Sequence, residues 1–126
     1  MLINLSNHPS ALWQPAQIEA AAVYGEILDM AFPVINPDWD VNQVKELAEN
    51  YFRQCKQSLL NAGGDSAVHL VGEPVFCFLL AQLLLKKHIL CITSTSERIV
   101  SEEGGKKISE FRFKRFREYK LITDKP

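Results

Sequence analysis

Apolar residues recur with two different periods along this chain, and the switches between them outline its elements. Residues 2–5, Leu-Ile-Asn-Leu, form a short hydrophobic run that reads as a buried strand. Pro15 then stands where proline is best tolerated, at the first position of a helix. Ile18, Ala21, Ala22 and Val23 carry that helix to a stop at Gly25. Residues 26–30 alternate as a second strand, and the proline-containing segment 32–40 is a connecting loop whose final Asp40 suits a helix cap. The longest helix is predicted from Val41, because Val44, Leu47, Ala48, Tyr51, Phe52, Cys55, Leu59 and Leu60 follow helical spacing up to Gly63-Gly64. Residues 67–71 read as a third strand, Gly72 as a turn, 74–87 as a nearly all-apolar helix opened by Pro74, and 89–92 as a fourth strand.

Short strands separated by helices predict an α/β fold: a small Rossmann-like, mainly parallel sheet flanked by helices. No glycine-rich dinucleotide fingerprint accompanies it. Strands 2–5 and 67–71 are expected to be parallel neighbours, which would bring Ser6 and Gly72 to one rim of the sheet. Beyond Ser96 the pattern changes to a C-terminal antiparallel β-hairpin over 98–120, turning at Glu102-Glu103-Gly104-Gly105. Phe111 and Phe113 share a face in its second arm, but Phe116 arrives with the wrong parity. A β-bulge near Lys114-Arg115 is predicted to restore it. One domain over 1–126 follows, with a βα core at 1–97 and a frayed end over 121–126.

Composition narrows the class. The longest apolar stretch, 75–85, is interrupted by Gln82 and is too short for a bilayer span, and residues 1–5 lack the features of a signal peptide. The expectation is a soluble cytoplasmic protein with no membrane partner. Cys55, Cys77 and Cys91 are odd in number and without metal-ligand spacing, so they are read as reduced core residues. The net charge of −1 conceals an asymmetry: residues 1–97 carry five Lys/Arg against ten Asp/Glu, and residues 98–126 carry nine against five. Such a split points to an anionic partner or, in a strand-rich tail, to protection of a sheet edge.

Two polar breaks at strand ends are the main functional signal. Ser6-Asn7-His8-Pro9 supplies a hydroxyl, an amide and an imidazole after the first strand; it reads either as a phosphate cradle or as a simple Asx-type turn with His8 solvated. Thr93-Ser94-Thr95-Ser96-Glu97-Arg98 is read as a second turn, whose hydroxyls and guanidinium suit phosphate oxygens. Gly72-Glu73 follows the third strand. There Gly72 would let a ligand approach the backbone, and Glu73 reads as a residue complementing the helix dipole in preference to a catalytic base. His69, inside its strand, is read as structural. The interleaved rings and cations of 111–119 are read as a core-facing strand with a wet basic side, the other reading being an RNA-binding surface.

Taken in order, Leu-Ile-Asn-Leu-Ser-Asn-His, Val-Gly-Glu, Thr-Ser-Thr-Ser-Glu-Arg and the ending Phe-Arg-Phe-Lys-Arg-Phe-Arg-Glu-Tyr resemble small CRISPR-associated proteins of type III loci. The chain looks like a stand-alone relative of the CARF domains, of the ring-nuclease type. The resemblance implies a homodimer binding a cyclic oligoadenylate, most simply the tetra-adenylate, and cutting it without a metal or other cofactor by attack of the ligand's own 2′-hydroxyl. His8, Arg98 and Ser6 are its implied catalytic residues, and Asn7, Gly72, Glu73, Thr93, Ser94 and Thr95 its implied ligand-binding residues. DNA is not an expected partner. A non-catalytic sensor or sponge for the same messenger is the main alternative.

Overall fold

The computed structural model describes residues 1–123. Five strands form one sheet in the order β2-β1-β3-β4-β5: β1 (Leu2–Ser6), β2 (Ile27–Ala31), β3 (Ala67–Leu70), β4 (Leu90–Glu103) and β5 (Lys106–Glu118). The first four in this order are parallel and β5 returns antiparallel along β4. As expected from the sequence, β1 and β3 are parallel neighbours, with Leu2 opposite Ala67 and Asn4 opposite His69. The chain leaves β1 on one side toward β2 and later returns to its other side as β3. The β1–β3 junction is therefore the switch point of the sheet, where α/β folds open a crevice at the strand ends.

Side-chain alternation divides the strands between two cores. Ile3, Leu5, Val68, Leu70 and Cys91 pack under α2 (Val41–Leu59) and α3 (Pro74–Lys86), against Val44, Ala48, Phe76, Leu80 and Leu84. On the opposite face Leu2, Ala67 and Ile92 pack with Trp13, Phe116 and Ala21, the last residue of α1 (Pro15–Ala21). The predicted first helix thus ends earlier as an α-helix and runs on as a 3-10 turn over Ala22–Tyr24 before Gly25, at φ 88°, reverses the chain. Asp40 caps α2 reciprocally with Gln43, as its place at the loop end suggested. All three cysteines are free and buried, and burial pushes the Cys55 and Cys77 thiols up to about 12, which keeps them protonated and unreactive.

One expectation is corrected. Residues 93–98 are not a turn: β4 runs unbroken from Leu90 to Glu103, with Thr93 opposite Arg117 and Arg98 opposite Phe111. The change from apolar to hydroxyl side chains marks where the strand leaves the helix-covered core. Its backbone remains paired because β5 continues alongside. The hairpin ladder accordingly begins at Ile92, not Arg98, and turns at Gly104-Gly105, both with positive φ. The predicted bulge is present: Thr95 faces Arg115 and Ser96 faces Phe113, leaving Lys114 without a partner. Phe116 and Phe113 consequently lie on one face, their rings 5.1 Å apart. Residues 124–126 of the predicted frayed end lie outside the described residues.

Candidate functional site

At the carboxyl ends of β1 and β3, on the α1 face, lies a cavity of about 570 Å³. Ser6, Asn7 and His8 of the first polar break line it, with Val71 and Gly72 after β3, Ser94, Thr95 and Ser96 from β4, and Phe111 and Phe113 from β5. Leu12, Trp13, Gln14, Gln17 and His69 complete the wall. Two sequence segments more than eighty residues apart therefore converge on one crevice. They do so through the switch point and through the continuation of β4, not through two equivalent turns.

The turn after β1 is held from below. Asn4, buried within the sheet, donates from Nδ2 to the His8 carbonyl at 2.9 Å and to Asp29 Oδ1 at 2.8 Å. Its Oδ1 accepts from Ser6 Oγ at 2.8 Å and lies 2.9 Å from His69 Nδ1. Trp13 Nε1 donates to the same His8 carbonyl at 3.0 Å, and the His8 N–H donates to Ser6 Oγ at 3.1 Å. Ser6 thus serves the turn's own frame. The exposed side chains of Asn7 and His8 make no hydrogen bond among the described residues and face the cavity. Asp29 anchors the rim by accepting from Ser10 N and Ser10 Oγ. Burial raises its carboxyl, but hydrogen bonds from Asn4 and Ser10 outweigh that and hold it below the ordinary carboxylate range.

Gln14 fixes the opposite wall as a substitute strand would. Its Nε2 donates to the Phe111 carbonyl and its Oε1 accepts from Phe113 N, both at 2.9 Å. This clamp ties the start of α1 to β5 and sets the Phe111 and Phe113 rings at the cavity edge.

The remaining expected site residues are placed differently. Thr93 alternates onto the other face, where its hydroxyl meets Tyr119. Arg98 shares the face of Ser94 and Ser96, but four residues farther along β4 it stands about 13 Å beyond Ser94. Its Nε donates to Ser109 Oγ at 2.8 Å on the exposed arm of the hairpin. Gly72 borders the cavity, yet a Cβ there would lie 2.1 Å from the Phe32 ring, so packing under Phe32 already accounts for the glycine. Glu73 caps α3, accepting from Val75 N at 3.0 Å and Phe76 N at 2.9 Å, and does not line the cavity. Glu73→Ala is expected to lower stability by about 1 kcal/mol, read as a shifted urea midpoint, with any ligand binding at the cavity unchanged. Lost binding at unchanged stability would return Glu73 to the site.

Asn4, Trp13, Gln14, Gln17 and His69 are among the site residues that sequence reasoning missed. A signal existed for two of them: Asn4 and His69 are polar residues at the centres of strands buried on both faces, where a near-continuous apolar run is the norm. Among the described residues no group of three or more His, Cys, Asp or Glu side chains is arranged to hold a metal. No described helix is long and apolar enough to cross a membrane. The cations of the tail are largely on the other side of the sheet from the cavity, since Arg112, Arg115 and Arg117 alternate away from Phe113 and Phe116. Lys114 and Arg112 there pair with Glu97 and Glu110.

No curated protein and no solved structure matches the chain. A family model described as "Uncharacterized protein MJ1673 family" matches residues 1–117, nearly the whole sequence, and the chain belongs to that family.

Proposed function

We propose that the protein is a metal-independent ring nuclease that binds a cyclic oligoadenylate, most simply the tetra-adenylate, and cleaves it, damping type III CRISPR signalling. The observation that carries this reading is the crevice at the β1–β3 switch point, where Asn7, His8, Ser94 and Ser96 face a space walled by Trp13, Phe111 and Phe113. Hydroxyls, an amide and an imidazole suit ribose and phosphate, and the aromatic walls suit bases. A cavity of about 570 Å³ accommodates part of a tetranucleotide ring. A homodimer with its two-fold axis over the crevice supplies the rest, and a symmetric ring suits a symmetric pair of half-sites.

In the proposed step a ribose 2′-oxygen gives its proton to a base and forms a bond to the adjacent phosphorus. The phosphorus–O5′ bond breaks and O5′ takes up a proton, leaving a 2′,3′-cyclic phosphate and a 5′-hydroxyl. His8 is the proton-transfer group, its imidazole exposed at the cavity lip. Asn7, Ser94 and Thr95 hold phosphate or ribose, and Arg98 meets the charge of the ring from beyond the cavity mouth. One feature favours the alternative of a sensor that binds without cutting: among the described residues no Lys or Arg lines the cavity, so charge stabilisation of the transition state falls on groups outside it.

Incubation with cyclic tri-, tetra- and hexa-adenylate in excess EDTA, with product chromatography, tests both. Linear oligoadenylates ending in a cyclic phosphate are expected. Tight binding with intact rings would leave the sensor, and binding of linear RNA alone would overturn both in favour of the basic tail.

A further inference from the structure

We propose that His69 reads an amino-purine: its Nε2 accepts a hydrogen bond from the exocyclic amine of a base inserted between the Trp13 and Phe113 rings. The assignment deepens the ring-nuclease reading, since it gives the cavity a reason to take adenine, and it rests on that reading for the identity of the whole ligand.

The tautomer of His69 follows from its neighbour. Asn4 Nδ2 donates to the His8 carbonyl and the Asp29 carboxylate, so reversing the amide would set its oxygen against two acceptors. Asn4 Oδ1 therefore faces His69, and Nδ1, at 2.9 Å, carries the proton. Nε2 is left with a lone pair. It is the single buried side-chain polar atom without a hydrogen-bond partner among the described residues, on a residue 2% exposed. Buried acceptors are rarely left without a donor, and one bordering a binding cavity asks for a donor from outside the chain. Burial, reinforced by the neighbouring His8, holds the imidazole down to about 4, so near neutrality it accepts and does not donate.

The surroundings fit a flat ring. Trp13 and Phe116 meet His69 edge-on at 5.2 and 5.4 Å, and Phe113 continues the aromatic wall. Gln17, 8% exposed on α1, sets a donor and an acceptor against the same cavity, the pairing that an amide offers to adenine. Access to Nε2 requires the Trp13 indole, packed in the α1-side core and hydrogen-bonded to the His8 carbonyl, to turn aside as the base enters. Inosine would present an oxygen where adenine presents the amine, setting acceptor against acceptor.

Calorimetric titration of the wild-type protein near pH 7 with adenosine and inosine monophosphates tests the assignment, with cyclic tetra-adenylate titrated in parallel. Adenosine monophosphate is expected to bind at least about 10-fold more tightly than inosine monophosphate. His69→Phe is expected to erase that preference, and His69→Gln, which keeps an acceptor, to retain part of it. Equal affinities in the wild-type protein overturn the assignment without recourse to any variant, as does the failure of both mononucleotides to bind, which leaves a buried water as the partner of Nε2. Binding of the ring without an adenosine preference sinks this assignment and spares the ring-nuclease reading. An adenosine preference without ring binding does the reverse.

Discussion

His8→Ala protein is expected to cleave cyclic tetra-adenylate roughly 10²- to 10⁴-fold more slowly in single turnover, the span of general acid–base catalysis, while still binding it. The catalytic role proposed for this residue and its part in the turn's frame are separable because they reside in different atoms. Its backbone carbonyl accepts from Asn4 and Trp13, and its N–H donates to Ser6; alanine keeps all of these. Its imidazole is exposed at the cavity lip, so its removal disturbs neither core. Arg98→Ala offers the contrast, since a cation proposed to meet both the ground-state phosphate and the more highly charged transition state should, when lost, weaken binding and cleavage, cleavage the more. A His8→Ala protein cutting at the normal rate would remove proton transfer from the mechanism. In-line positioning of the 2′-hydroxyl would then be its main source of rate.

The second large effect is on stability. Burial, with His8 nearby, lowers His69 from 6.5 to about 4. Between those values the unfolded chain binds a proton that the folded protein refuses, so unfolding gains and stability falls as the pH drops from about 6.5 toward 4. At about 1.36 kcal/mol per pKa unit the loss amounts to about 3 kcal/mol, and below pH 4 this contribution is flat. Asp29 acts in a lower window: its depressed carboxyl supports the fold above the ordinary carboxylate range and releases that support only as the pH falls below about 3.8. Urea midpoints from pH 7 to 4 for the wild-type and His69→Phe proteins isolate the histidine, because the carboxylates are common to both. Parallel curves would mean that His69 titrates normally.

Hydrophobic spacing and turn chemistry made the elements of the body legible. Pro15, Asp40 and Pro74 open their helices where such residues belong, and the misplaced parity of Phe116 located a bulge at Lys114. The site was legible in its hydroxyls and His8, which stand out as polar breaks in apolar runs. It was not legible at Arg98, because a strand with polar side chains and a turn with polar side chains are alike in sequence when the partner strand lies farther on. Glu73 and Gly72 were ambiguous for a related reason: a cap, a close approach under Phe32 and a ligand contact all select the same residue types. His69 was hidden by its isolation in the chain. Only the register that sets it opposite Asn4 across 65 residues gives it a partner and a tautomer.

That register also orders the events of folding. β4 and β5 are joined by the two residues Gly104 and Gly105, whereas pairing β1 with β3 closes a loop of 65 residues. Closure entropy grows by about 0.6 kcal/mol for each doubling of loop length, so five doublings place about 3 kcal/mol more on the central pair than on the hairpin. The hairpin can therefore zip locally while the switch point waits for a far longer search. Ser6 and Gly72 meet only when that search ends. A partly folded molecule can thus carry its basic arm complete and still have no crevice, which forms only with the central pairing.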